Sequence, residues 1–344
     1  MGRLAYVSVS RLVPIGHRYL THVSIPTDIK LFSGAGGDAS VSKSELARIY
    51  GFEVTNAGTK GLGIFALQEF YRGDLVIAEA PLFSVPRERR EGEDGLSREA
   101  IEAAMNALAP EKRQEYESLQ SFHPKEAGKW GIFAANSFQI TNESAGVFLQ
   151  CSRFNHSCSP NARYSWNPEI KCLRIYALRD IARGDEIFIS YLSYRDVCAS
   201  TRAERQARLQ VRGFTCGCAV CTQPTTVASD ERRVRVKKIW ESIPNFTPNQ
   251  SHERLLAVAH AIHLLKEEDY AAAYDEFTDD AAWICAYHSD WASAKYWAME
   301  TYKTAVAEFG EDSYRAKEVK EMFEDPKTTE MAGMGPQQTF SVRL

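Results

Sequence analysis

Three of the chain's eight cysteines stand within six residues, in Cys216-Gly217-Cys218-Ala219-Val220-Cys221. Thiols this close cannot all pair with one another without strain. As thiolates they suit tetrahedral zinc, at Zn–S distances of about 2.3 Å, and Gly217 lets the backbone turn tightly around an ion. Three thiolates leave one coordination position, so the chain must bring a fourth ligand from elsewhere. The blander reading is a chance cluster of unpaired thiols. Cys151, Cys172, Cys198 and Cys285 are scattered and read as ordinary buried small residues. The other chemically dense stretch is Phe154-Asn155-His156-Ser157-Cys158-Ser159-Pro160-Asn161. On its own it is a polar turn whose Asn and Ser satisfy backbone groups, with His156 a packed or exposed ring.

The elements that must hold these residues are short. Phe52–Val54, Gly61–Ala66 and Leu75–Ala78 are apolar runs broken at Asn56-Ala57-Gly58 and at Arg72-Gly73-Asp74, the pattern of short strands and turns. A charged, Gly-bearing loop follows over 87–96. Ser97 is an N-cap candidate, with Ile101, Met105 and Leu108 at helical spacing, and a second helix is expected from about Pro110 to Leu119. Residues 130–150 are mixed and apolar. Strands resume at Ala162–Trp166, Cys172–Ala177 and Glu186–Tyr191. Residues 222–230 are Thr- and Ser-rich and read as a linker. Beyond them the helical period dominates, with Leu255, Val258, Ile262 and Leu265 on one face, and Trp291, Ala294, Ala298, Tyr302, Ala305 and Phe309 on another. Small residues alternate with aromatics as in stacked helical hairpins of the tetratricopeptide kind, without a fixed repeat. From about Pro326 the chain is polar and read as disordered.

Four motifs occur in one order: Lys60-Gly61-Leu62-Gly63-Ile64-Phe65-Ala66, then Asn155 to Asn161, then Gly184-Asp185-Glu186-Ile187-Phe188-Ile189-Ser190-Tyr191, then Cys216 to Cys221. Together they resemble the SET-domain protein lysine methyltransferases, over about residues 50–222. The helical insert and the helical C-terminal region look most like SMYD-type and related fungal SET proteins. No cysteine lies between residues 51 and 150, so the MYND zinc finger of SMYD proteins is absent, and with it whatever partner recognition that finger provides. The glycine motif is not a dinucleotide fingerprint, because it lacks a third glycine and no long helix follows.

The resemblance implies S-adenosylmethionine as methyl donor and one structural zinc ion. Lys60, Gly61, Leu62 and Gly63 would approach the methionine part of the donor, the glycines because no Cβ intrudes. Asn155 would hydrogen-bond its amino-acid end, the His156 backbone its adenine, and Phe214 would stack on the adenine. Asn136 would line the same pocket. Cys158 would supply the fourth thiolate to Cys216, Cys218 and Cys221. Tyr191 would be the catalytic residue, also touching the donor and the lysine channel, and Tyr164 would narrow that channel and limit how many methyl groups fit. A free lysine has a pKa of about 10.4. A narrow apolar channel beside a positive sulfonium lowers it, after which alignment and a preorganised polar site do the rest. The blander reading of Tyr191 is a core tyrosine ending a strand, and Tyr164 reads equally as a plain core aromatic.

The expected fold class is thus α+β. Short-stranded sheets form the SET β-fold, with a pseudoknot (an exception to the rule against threading) and a helical insert. A post-SET zinc motif and a C-terminal α-helical, tetratricopeptide-like region follow. The expected divisions are a tail or peripheral segment at 1–47, the SET domain at 48–200 with its insert at about 97–145, the zinc segment at 201–222, helices at 231–325 and a tail at 326–344. With 344 residues, two domains are expected. The 44% hydrophobic and 25% charged content excludes wholesale disorder. Lys plus Arg is 41 against 45 for Asp plus Glu, so binding of nucleic acid by bulk charge is not expected.

No run of about 18 apolar residues occurs, so no membrane span is expected. The partner expected is a protein carrying the target lysine, histone or not, and the chain is expected to be a monomer. Localisation is read as nucleus or cytoplasm. Arg3, Arg11 and Arg18, with no acid before Asp28, leave a mitochondrial transit segment as an alternative. Arg232, Arg233, Arg235, Lys237 and Lys238 read as a solvated helix face, and His260 and His263 as helix-surface or packed residues. The competing functional reading is a non-catalytic SET scaffold that binds partner peptides through its C-terminal helices. A Rubisco-methylating type is disfavoured by the CGCAVC cysteines.

Overall fold

The computed structural model describes residues 14–15, 18–19, 49–87, 96–121, 124–224, 226–243, 247–270, 272 and 274–344. Most of the expected N-terminal tail, and residues 88–95 of the charged loop, lie outside them. The chain divides into two units, 1–30 and 31–344. In the first, the described residues form one antiparallel pair, β1 (Pro14–Ile15) with β2 (Arg18–Tyr19).

The second unit begins with a hairpin of β3 (Phe52–Asn56) and β4 (Leu62–Ala66), joined by a 3-10 turn at Gly58–Lys60. Gly58 opens that turn and Gly61 follows it, with φ of +68° and +81°, a region in which a Cβ is strained. Next come β5 (Leu75–Glu79) and β6 (Phe83–Pro86), then the helices α1 (Arg98–Asn106), α2 (Pro110–Glu117) and α3 (Pro124–Asn136). Ser97 caps α1 by accepting the Ala100 N–H at 3.2 Å, as its position suggests. Ile101 and Met105 of α1 are buried with Tyr116 and Phe133 in a core belonging to this insert.

The mixed apolar segment resolves into the end of α3 followed by β7 (Ser137–Thr141) and β8 (Ser144–Val147). Then come β9 (Asn155–His156), β10 (Ala162–Asn167), β11 (Cys172–Ala177) and β12 (Phe188–Ile189). Strand β8 lies between β6 and β7, and β11 lies between β10 and β5, both sheets antiparallel. All six residues of β11 are buried, which explains why it reads as a continuous apolar run and not an alternating one. The short pair β9–β12 is parallel and brings Asn155 beside Phe188 and His156 beside Ile189.

Among the described residues eight α-helices follow: α4 (Tyr194–Cys198), α5 (Arg202–Gln210), α6 (Ala219–Thr222), α7 (Thr226–Ser242), α8 (Ser251–Glu267), α9 (Tyr274–Tyr287), α10 (Trp291–Phe309) and α11 (Tyr314–Glu324). Leu255, Val258, Ile262 and Leu265 are all fully buried, and one hydrophobic core joins them to Trp297, Ala298 and the cysteines Cys158, Cys216 and Cys221. No helix among the described residues is long and apolar enough to cross a membrane.

Three expectations differ from the structure for physical reasons. Of Glu186–Tyr191 only Phe188–Ile189 forms a ladder. Glu186 makes only an isolated bridge with Phe65 of β4, and the Asn161 side chain accepts the Phe188 N–H at 2.7 Å and donates to the Glu186 carbonyl at 3.0 Å, taking backbone groups that a longer ladder would use. The stretch read as a linker is helical from Thr226, because buried Ser229 donates to Glu268 at 2.5 Å and fastens the first turn. The polar end of the chain is ordered. The Asp290 carboxylate accepts the Phe340 N–H at 2.7 Å, and Phe340 and Val342 are buried. His288 Nδ1 donates to the Pro336 carbonyl at 2.7 Å, which leaves Nε2 to accept from Ser251 at 2.8 Å.

Candidate active site

A cleft of about 1560 Å³ opens where the β3–β4 turn, β9, the end of β12 and the cysteine segment converge. Lys60, Gly61, Leu62, Asn136, Asn155, His156, Tyr191 and Phe214 all line it. Seven motif residues from four distant stretches, with Asn136 of α3, therefore share one cavity.

At one end the carboxylate of Glu186 organises the wall. Its side chain is 9% exposed. Asn155 Nδ2 donates to Glu186 Oε1 at 2.8 Å and to the Leu62 carbonyl at 3.0 Å. Lys60 forms a short ion pair with Glu186 Oε2, and its ammonium lies 4.5 Å from the Phe188 ring centroid. Gly63 does not line the cleft. A Cβ there would stand 2.7 Å from Glu186 Oε1 and 2.9 Å from Asn155 Nδ2, so this glycine makes room for the two side chains behind the wall.

The middle of the cleft is aromatic. His156, Tyr191 and Phe214 form a triangle with ring centroids 5.4, 6.1 and 5.9 Å apart. The Tyr191 N–H donates to His156 Nδ1 at 3.0 Å, so the ring proton sits on Nε2, 3.4 Å from Cys158 Sγ. Burial pushes the His156 pKa down to about 4, and Arg212 and Arg205 add to this against the pull of Cys218. His156 is neutral at pH 7. The Tyr191 hydroxyl donates to the Phe154 carbonyl at 2.8 Å, and burial pushes its pKa up to about 12. Asn136 spends both amide protons on the Gln120 and Ile132 carbonyls at 2.6 and 2.7 Å. Tyr164, on β10, does not line the cleft. Its ring packs edge-on against Phe138 at 5.0 Å, in the core cluster that Tyr191 also borders.

At the far end the sulfurs of Cys158, Cys216, Cys218 and Cys221 all lie within 4.8 Å of one another. Cys158 Sγ is 3.9 Å from Cys216 Sγ and 3.6 Å from Cys221 Sγ. A tetrathiolate zinc tetrahedron has edges of about 3.8 Å, so the donor set and its spacing fit a tetrahedral ion. The Cys158 and Cys218 amides point at sulfurs 3.4 and 3.5 Å away, as befits thiolate acceptors. Four thiolates around a dication leave a net charge of about −2, and the fully buried Arg205 stands beside them. Burial works against its charge, but Cys158, Cys221 and Asp230 outweigh that, so the Arg205 pKa is raised.

Sequence reasoning missed the supports. Gln206 clamps Cys216 by both of its amide atoms, donating to its carbonyl at 2.7 Å and accepting its N–H at 2.9 Å. Nothing in a one-dimensional pattern marks a glutamine on the preceding helix for this. Glu186 was inside a recognised motif, and its place next to Asn155 could have been inferred only by pairing β9 with β12. The basic run is not wholly solvated. Arg233 is fully buried and paired to Glu268 at 2.8 Å.

Compared with known proteins, residues 61–192 match the SET domain family. The chain is 28% identical over 291 residues to histone-lysine N-methyltransferase set5 of Schizosaccharomyces pombe, covering 82% of this chain and 86% of that protein. It is 34% identical over 98 residues to histone-lysine N-methyltransferase SET5 of Scheffersomyces stipitis, 28% of this chain and 20% of the other. It is 38% identical over 93 residues to human protein-lysine N-trimethyltransferase SMYD5, 26% of this chain and 22% of the other. The match to residues 61–192 takes in three of the four motifs that wall the cleft, and the likeness to set5 runs through most of the molecule: the chain is similar to SET-domain lysine methyltransferases.

Proposed function

We propose that this protein transfers the methyl group of S-adenosylmethionine to the ε-amine of a lysine in a protein substrate, with the cleft as donor site and Tyr191 at its reacting end. The observation that carries this reading is the convergence of Lys60–Leu62, Asn155, His156, Tyr191 and Phe214 on one cavity. Bound there, S-adenosylmethionine supplies a methyl on a positive sulfonium, which departs as a neutral thioether when the amine lone pair takes the methyl. The chain's own contribution is positional and electrostatic. Phe214 offers a ring face for a flat base, and Asn155 and the Lys60–Leu62 backbone offer polar atoms for the amino-acid end.

Tyr191 keeps its proton at neutral pH, with a pKa pushed up to about 12, so it is not the base. Its O–H is committed to the Phe154 carbonyl. The oxygen lone pairs are left to accept from the incoming amine and to favour the positive charge that spreads over the transferring methyl. The proton that lysine sheds passes to water.

The four-cysteine cluster is read as a structural zinc site of the post-SET kind, joining Cys158 to the knuckle beside the cofactor's adenine. The α7–α11 helices are read as a tetratricopeptide-like wall of the substrate groove, a C-terminal segment of the SET domain as threaded through a loop in a pseudoknot, and Tyr164 as lining the lysine channel. Relatives named as histone-lysine and protein-lysine methyltransferases make a histone or another nuclear or cytoplasmic protein the substrate class.

The test is transfer of labelled methyl from S-adenosylmethionine to histones and to a cell extract. Lysine labelling is expected, and Tyr191→Phe is expected to lower it about 100-fold with donor affinity nearly unchanged. Wild-type protein that labels no lysine in either substrate overturns the reading.

A further inference from the structure

The carboxylate of Glu186 has no part in the transfer described above, yet it sits at the junction of everything that shapes the amino-acid end of the cleft. One oxygen receives Asn155 and the other receives Lys60. The absence of a Cβ at Gly63 is what lets it and Asn155 come so close. An asparagine amide has two faces that differ only in the placement of oxygen and nitrogen, and its neighbours decide which way it points. Here the neighbours of Nδ2 are a carbonyl and a carboxylate, both pure acceptors. Only the NH2 can occupy that position. Oδ1 is thereby turned away from both, and among the described residues no donor reaches it, while Asn155 lines the cleft. The atom offered to a ligand is thus an acceptor, which suits an ammonium and not a carboxylate.

We propose that Glu186 is a positioning residue that fixes the Asn155 amide with its oxygen toward the cleft, and so makes the site selective for the α-ammonium of the methyl donor. The proposal rests on the methyl-transfer reading and adds a specificity determinant to it. Glu186 also neutralises Lys60, whose ammonium would otherwise stand unscreened beside another positive charge.

The experiment measures calorimetric binding of S-adenosylhomocysteine, which keeps the ammonium, and of its deaminated analogue, which lacks it. Glu186→Met, which removes both acceptor oxygens at similar volume, is expected to weaken S-adenosylhomocysteine about tenfold and the analogue less than about twofold. Glu186→Gln, which keeps one acceptor, is expected to fall between wild type and Glu186→Met. In an Asn155→Ala background Glu186→Met is expected to cost less than about a further twofold, because the residue acts through Asn155. A general loss of structure would weaken both ligands alike, and that result overturns the proposal. So does full additivity with Asn155→Ala, or a Glu186→Met protein that binds like wild type. Wild-type protein that binds neither ligand overturns the methyl-transfer reading as well.

Discussion

Two buried junctions tie distant parts of this chain together, one built from side chains of like charge and the other from side chains of opposite charge. At one, Cys158 from the turn after β9 meets Cys216, Cys218 and Cys221, four groups that as thiolates repel one another and need a cation at the centre. At the other, Arg163 of β10 meets Glu308 of α10 in a short ion pair, with the guanidinium over Phe309 at 4.6 Å and Tyr194 at 5.4 Å. The first junction satisfies every donor atom at once when an ion is present. The second does not: Glu308 is fully buried and its Oε1 has no partner. A buried ion pair contributes little net stability, because desolvation of both charges offsets their attraction, yet removing one partner strands the other. With an ion bound the cysteine junction would stabilise, whereas the ionic one mainly dictates where the C-terminal helices sit on the sheet. Arg174–Asp312, with two contacts of 2.6 Å, and Arg179–Asp269 reinforce that docking.

The largest effect expected from this contrast is at the cysteines. Purified protein is expected to hold about one zinc per chain by elemental analysis. Stripping it with a strong chelator, or Cys158→Ser, is expected to cost roughly 5 kcal/mol or more, since metal binding of this kind is folding free energy. Thermal melting followed by circular dichroism measures it. A metal-free protein that melts where the loaded one does would show the four sulfurs to be an ordinary packed cluster, and the contrast would vanish.

The two junctions also differ in how far they could be read from sequence. Three cysteines in six residues announce a ligand set because cysteine at that density is rare and its chemistry narrow, and a family motif named the fourth. Nothing comparable announces Arg163 with Glu308. Each is one of many charged residues, they are 145 positions apart, and only the docking of α10 on β10 brings them together. The same limit explains Glu186 and Gln206, whose roles depend on which backbone passes nearby. Cys172–Ala177 matches its strand residue for residue, because a fully buried central strand needs no alternation to be recognised. The order at the end of the chain is hidden in the sequence for the converse reason. Two apolar residues, Phe340 and Val342, suffice to dock a segment whose composition is otherwise polar, once Asp290 takes the Phe340 amide.

The next effect in size separates pairing from burial at the ionic junction. Arg163→Met leaves Glu308 buried without its counter-charge and is expected to cost about 3–5 kcal/mol in urea unfolding. The double variant Arg163→Met with Glu308→Leu removes both charges and is expected to recover most of that loss. If the double variant is as unstable as the single one, the pair itself contributes net stability, and the two junctions are more alike than their chemistry suggests.

The smallest effect is a pH dependence whose sign follows from Glu308. Burial raises its pKa from 4.5 to about 7, with Asp275 pushing the same way and Arg163 and Arg72 pulling back. An acid whose folded pKa lies above its unfolded one holds a proton in the folded state that the unfolded state has already released. Stability from this group is therefore complete below the unfolded value of 4.5 and is lost as pH rises toward about 7. The expected loss across that window is about 1–3 kcal/mol. Burial raises the pKa of other acids too, Glu79 among them, so the quantity to measure is the difference between wild type and Glu308→Gln in urea unfolding at pH 5, 6 and 7. Wild type should lose ground to the variant as pH rises. If it gains ground, Glu308 is ionised throughout, Arg163 outweighs the cost of burial, and the ionic junction holds the helices by attraction and not by placement alone.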